Sequence, residues 1–120
     1  MFNLEKLTVW QKAIDYAEHV YDVTGAFPDR ERFGLTNQLR RAAVSVSSNI
    51  AEGSSRSSSA DYSRFLEIAY GSLMETVSQM FVARRRQFID EDAFLRIYGD
   101  ADELARMLSG LRSSVTADRA

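Results

Sequence analysis

Cysteine is absent from the chain, which removes disulfides, thiolate zinc sites and thiol nucleophiles together. Histidine occurs once, as His19. One histidine cannot supply the two Glu-x-x-His motifs of a di-iron bundle. A Ser-His-Asp triad would have to use it without any Gly-x-Ser-x-Gly elbow to present the serine. No Gly-x-x-x-x-Gly-Lys phosphate loop and no dinucleotide fingerprint occurs. Apolar runs are a few residues long, too short to span a membrane as a helix. The opening Met1-Phe2-Asn3-Leu4-Glu5-Lys6 lacks the charged-then-apolar order of a signal peptide. A cytoplasmic, non-enzymatic protein without cofactor or metal is the expectation.

What remains is the composition of an ordinary globular chain: 120 residues, 45% hydrophobic and 27% charged. That length suits one domain with a continuous core. The net charge of −2 and a pI near 5.4 count against a dedicated nucleic-acid binder, which usually carries a basic excess. Residues 28–64 nevertheless hold a small surplus of arginine over acid.

Proline also occurs once, as Pro28, and alternating β-branched runs are missing. Apolar residues recur instead at helical spacing. They predict four helices over about residues 8–25, 31–52, 60–87 and 91–114 within a single domain, 1–120. Thr8-x-x-Gln11 reads as a capping box for the first, and Gly25 with Pro28 as its stop. The second runs from Glu31 or Leu35 and stops at Gly53, before the serine-rich connector 54–59. Ser59 is the expected N-cap of the third helix, with Asp61 placed against its dipole. Asp90-Glu91-Asp92 serves the fourth in the same way. Short connections favour antiparallel neighbours, so the predicted fold is all-α, an antiparallel up-down-up-down four-helix bundle.

Plotted at 100° per residue, the fourth helix has one apolar stripe, as a simple bundle member should. The first and third have more. In the first, Trp10, Ala13, Ile14, Ala17, Val20 and Tyr21 form the main stripe, and Val9, Tyr16 and Val23 a shoulder beside it. In the third, apolar side chains including Tyr70, Met74 and Phe81 cover about half the circumference. Such shoulders either pack under loops or meet a second copy. Soluble monomers rarely leave large apolar patches in water, which favours an oligomer surface at Val9, Tyr16, Val23, Tyr70, Met74 and Phe81.

On the second helix Gln38, Arg41, Ser45, Asn49 and Glu52 fall on one side, flanking the apolar face. Taken by spacing, this is a solvated face. Several blocks add a resemblance: Leu7-x-Val9-Trp10-Gln11-Lys12-Ala13, then Gln38-Leu39-Arg40-Arg41-Ala42-Ala43-Val44-Ser45-Val46, then Asn49-Ile50-Ala51-Glu52-Gly53, then Gly71-Ser72-Leu73-x-Glu75. Over about residues 4–77 the chain resembles the four-helix-bundle proteins called 23S rRNA intervening-sequence proteins. That resemblance implies a homo-oligomer, a pentameric ring. It also implies kinship with the accessory subunit of diversity-generating retroelements, a binder of nucleic acid and of a reverse transcriptase. The positions it carries over are Arg41, Ser45, Asn49, Glu52, Ser72 and Glu75. Two features depart from the pattern: Ser47 stands where proline is common, and the chain is acidic where the retroelement relatives are basic.

Three further expectations follow. Arg41 and Glu75 should pair across the second and third helices, with Asn49 and Glu52 extending a polar network. Arg84-Arg85-Arg86, placed to complement a helix C-terminus, could with Arg40 and Arg56 contact RNA or DNA. Gly71 beside Ser72 should permit a close helix approach, while Gly99 has no evident purpose. The function read from the sequence is a non-enzymatic, homo-oligomeric helical scaffold that presents a repeated surface to a protein partner. A nucleic-acid-binding accessory protein is the alternative.

Overall fold

Four helices carry the chain in the computed structural model, which describes residues 1–117; the last three residues of the expected 1–120 domain lie outside the described part. They are α1 (Thr8–Thr24), α2 (Leu35–Ser54), α3 (Ser59–Arg85) and α4 (Glu91–Ala117), with 3-10 turns at Asn3–Lys6 and Asp29–Glu31. There is no strand among the described residues. Each helix packs on its neighbours α1–α2, α2–α3, α3–α4 and α1–α4, which makes a bundle of 48 × 23 × 21 Å.

The helix ends follow local chemistry, with some shifts from the predicted bounds. The Thr8 capping box does not form: α1 is preceded by Leu7 with no side-chain cap, and the Gln11 amide donates instead to the Glu5 carbonyl. The stretch from Glu31 is not yet α2, because the chain makes a 3-10 turn there before Leu35. Ser58, one residue ahead of Ser59, caps α3 by accepting from the Asp61 N–H at 3.1 Å. Asp90 caps α4, its Oδ1 accepting from Ala93 N–H at 2.8 Å. At the end of α3, Gln87 takes φ 61°. Phe88 N–H reaches back to the Ala83 carbonyl and Gln87 N–H to that of Arg84, the double bond of a Schellman motif.

Gly53 does not end α2 but lies within its last turn, buried. A Cβ there would sit 2.7 Å from Phe65 Cβ, so the α2–α3 hairpin closes only because position 53 has no side chain. The close approach expected at Gly71 is not made: nothing lies within 4 Å of a Cβ placed there.

The core runs the length of the bundle through Val20, Leu39, Ile50, Leu73, Ile97 and Leu104. One polar knot crosses it. The Tyr16 hydroxyl lies 2.8 Å from Thr76 Oγ1, and Thr76 in turn donates to the Leu73 carbonyl at 2.6 Å. Tyr16 is therefore the donor of the pair. Burial pushes its phenol up to about 12, because the charged form would lose its water.

Candidate functional site

The α2 stripe lies beside α3, and its residues divide into two short chains of hydrogen bonds. Asn49 Nδ2 donates to the Ser45 carbonyl at 2.8 Å and to Ser45 Oγ at 3.0 Å. Ser45 Oγ meets Ser72 Oγ at 2.9 Å across the helices. Farther along, Gln79 Nε2 donates to Gln38 Oε1 at 3.3 Å and to Glu75 Oε2 at 3.2 Å. The expected Arg41–Glu75 pair is not formed. Arg41 lines an open groove with Tyr21 of α1 and Val44, and both Arg41 and Glu75 are exposed. Glu52 does not extend the network either: it lies 3.5 Å from Arg56 one turn on. Gln79 Oε1 is buried without a partner.

The apolar faces of α1 are redistributed. Val9 and Tyr16, expected at an oligomer surface, are only 5% and 2% exposed; they are core, because α1 is rotated so that Tyr16 reaches Thr76. Two members of the expected main stripe, Ile14 and Tyr21, are exposed instead. Val23 and Tyr70 are half-buried against the core. Met74 and Phe81 are 38% and 40% exposed. Ile68, Val82, Leu95 and Tyr98 join them at the surface. For Leu95 and Tyr98 the signal in the sequence is the apolar doublets Phe94-Leu95 and Ile97-Tyr98, whose members lie 100° apart; the first of each is buried and the second exposed.

Most of the candidate nucleic-acid arginines are engaged by their own chain. Arg40 Nε donates to Thr24 Oγ1 at 2.8 Å, and its guanidinium lies 4.5 Å from the Tyr21 ring centre. Arg56 stacks 4.8 Å from the Phe65 ring. Arg84 makes two bonds to Glu91 and sits 4.5 Å from the Phe94 ring. Arg86 lies 5.9 Å from Phe88. Arg85 alone has no ion or ring partner among the described residues.

His19 Nδ1 meets Asp100 Oδ2 at 2.6 Å, a link between α1 and α4 that the sequence did not suggest. Lys12 and Glu103 add an exposed pair at 3.4 Å on the same seam. No group of three or more His, Cys, Asp or Glu among the described residues is arranged to hold a metal. The larger concavities are open grooves. One of about 590 Å³ runs between α3 and α4 past Leu66, Tyr70, Leu108 and Arg112. Another, of about 610 Å³, lies between α1 and α2 at Tyr21, Arg40, Arg41 and Val44. No described helix is long and apolar enough to cross a membrane.

Among curated proteins none matches the chain. A similar fold occurs in the crystal structure of a protein of unknown function from the S23 ribosomal protein family of Bacteroides thetaiotaomicron. The two superpose with a TM-score of 0.78 at 23% identity, over 87% of this chain and 97% of that one. The model of the family described as 23S rRNA-intervening sequence protein matches residues 5–110, a span from the N-terminal 3-10 turn to the last turns of α4, and the chain belongs to that family.

Proposed function

We propose that the protein is a cytoplasmic, non-enzymatic helical scaffold that works as a homo-oligomer of up-down-up-down bundles. The order of the cross-helix pairs supports that topology: Gln38 with Gln79 and Ser45 with Ser72, Glu67 with Arg112 and Arg84 with Glu91. The observation that carries self-assembly is the apolar flank of α3 and α4, where Met74, Phe81, Leu95 and Tyr98 are each between 38% and 55% exposed. Phe81 and Tyr98 touch, 6.1 Å between ring centres, and exposed apolar surface of this kind marks a face that another protein covers.

Five copies in a ring is the assembly that the sequence resemblance implies. Light scattering on the purified chain tests it. A mass several times the 13.6 kDa of one chain is the expected result, and five times that mass supports the ring. A monomer at micromolar concentration would overturn the reading. Tight binding of RNA or DNA that weakens steeply with salt would also overturn it, in favour of a nucleic-acid accessory protein.

A further inference from the structure

From Leu35 to Ala51 the only charged side chains of α2 are Arg40 and Arg41, with no carboxylate among them. The groove of about 610 Å³ between α1 and α2 runs over this stretch. It is lined by Tyr21 of α1 and, on α2, by Asn37, Arg40, Arg41, Val44 and Ser48. Its apolar part lies open to water, with Tyr21 46% and Val44 41% exposed.

Arg40 is fixed before any partner arrives. Its Nε donates to Thr24 Oγ1 at 2.8 Å and its Nη2 to the Tyr21 carbonyl at 3.3 Å. The guanidinium also lies 4.5 Å from the Tyr21 ring centre. Thr24 is buried, and its hydroxyl donates to the Val20 carbonyl at 2.7 Å, which leaves its lone pairs to Arg40. Of the five N–H donors of a guanidinium, these bonds occupy two. Arg41, the next residue, is exposed and makes no ion pair or ring contact among the described residues.

We propose that this groove docks an acidic segment of a partner protein, which brings a carboxylate to the Arg40–Arg41 pair and an apolar side chain to Tyr21 and Val44. The proposal rests on the scaffold reading, whose partner it names, and uses none of the α3–α4 surface that carries self-assembly. Charge complementarity selects the carboxylate. No acid lines the groove among the described residues, and arginine takes a carboxylate through two parallel N–H···O bonds. Because Arg40 is already held in place, little side-chain freedom is lost when it binds. An apolar lining with a few polar groups that set orientation is the usual form of a recognition site. A nucleic-acid strand fits less well, because its charge is continuous. Glu18 and Asp22 stand exposed on α1, three and one positions from Tyr21, and would repel successive phosphates. A segment with one or two carboxylates can meet the arginines without meeting both acids.

The test selects a phage-displayed library of random peptides on the purified native chain and measures the selected peptides in solution by fluorescence anisotropy. They should carry aspartate or glutamate beside leucine or an aromatic residue. Arg41→Ala should weaken their binding about tenfold, the loss of a charge-assisted hydrogen bond. Val44→Asp, which sets a carboxylate in the groove at an exposed position, should weaken it at least as much. Both variants should keep the native mass in light scattering. Selected peptides without acidic residues, or acidic ones that bind the variants as well as the native chain, would overturn the docking site. A single-stranded RNA that binds in their place and is lost in Arg41→Ala would overturn it in favour of nucleic acid. A changed mass in either variant would overturn it by assigning the groove to a subunit contact. A monomeric native chain that still binds the acidic peptides would refute self-assembly and sustain the groove.

Discussion

Replacing Gly53 by alanine should destabilise the protein, while the same change at Gly99 should stabilise it. A Cβ at position 53 would lie 2.7 Å from Phe65 Cβ, 3.1 Å from Tyr62 Cδ1 and 3.3 Å from the Tyr62 carbonyl oxygen. The first contact joins two Cβ atoms, each fixed to its own helix, so no side-chain rotation relieves it. The α2–α3 hairpin must open until the atoms reach ordinary contact, between 3.4 and 4 Å. Overpacking of this kind costs about 1–3 kcal/mol. Alanine returns at most about 1 kcal/mol of helix propensity, and less here because Gly53 is next to the last residue of α2. The net loss is about 1–2 kcal/mol. At Gly99, inside α4, nothing lies within 4 Å, so the propensity gain of about 0.5–1 kcal/mol stands alone. For a chain of this length 1 kcal/mol corresponds to about 4 °C in Tm. Thermal unfolding followed by circular dichroism should therefore show Gly53→Ala lower by about 4–8 °C and Gly99→Ala higher by about 2–4 °C. Protomer concentrations must be matched, because association raises apparent stability. A Gly53→Ala variant as stable as the parent would refute the close approach of α2 and α3.

The buried pair should respond unequally to its two deletions. Tyr16→Phe removes one hydrogen bond at about 1 kcal/mol, whereas Thr76→Val strands a buried hydroxyl at about 1–3 kcal/mol; chemical denaturation reads the difference, and a smaller loss for Thr76→Val would contradict the assigned donor. Because the Tyr16 phenol is raised from 10.0 to about 12, the unfolded chain releases that proton first as pH rises. Stability that is complete below pH 10 should then fall by up to about 1.4 kcal/mol per pH unit between 10 and 12, and a denaturation series in Tyr16→Phe should lack that part of the slope. Gln87→Gly should raise Tm by a few degrees, since a left-handed residue with a Cβ costs about 1 kcal/mol; unchanged Tm would argue against that conformation. A double-mutant cycle on Arg41→Ala and Glu75→Ala should return a coupling below about 0.5 kcal/mol at protomer level, and a larger value would restore the pair that the geometry omits.

Helix number and approximate extent were legible because apolar spacing and stop signals agree: Ala13-Ala17-Val20 and Leu39-Ala43-Val46-Ile50 each mark a stripe that can face one core. Less legible was which of two adjacent stripes faces it. On α1 both Tyr16 and Ile14 border the Ala13–Ala17–Val20 line, and composition ranks isoleucine inside and tyrosine outside. Thr76, sixty positions away, reverses that order by giving the phenol a buried hydrogen-bond partner. Spacing did place Ser45 and Asn49 on one side of α2, and the structure joins them to Ser72. It could not say that Arg41, one turn before Ser45, stays exposed, since one side of a helix can span both a packed seam and open water.

Glycines show the same division most clearly. Gly53, Gly71 and Gly99 look alike in sequence, each inside or at the edge of a helical block. Only the packed bundle gives Gly53 a close neighbour, because Phe65 of α3 lies against it, and leaves Gly71 and Gly99 facing open space.

From the sequence alone came the all-helical class, the four segments, the lack of thiol and multi-histidine chemistry, and the family. These depend on local spacing and on residue identity, which the chain carries with it. Tertiary structure decided the rotation of α1, the close contact at Gly53, the capture of Arg40, Arg56, Arg84 and Arg86 by neighbouring rings and carboxylates, and the exposed apolar flank of α3 and α4. Each of those depends on which helix stands beside which, a relation between residues far apart in the chain that no local period encodes.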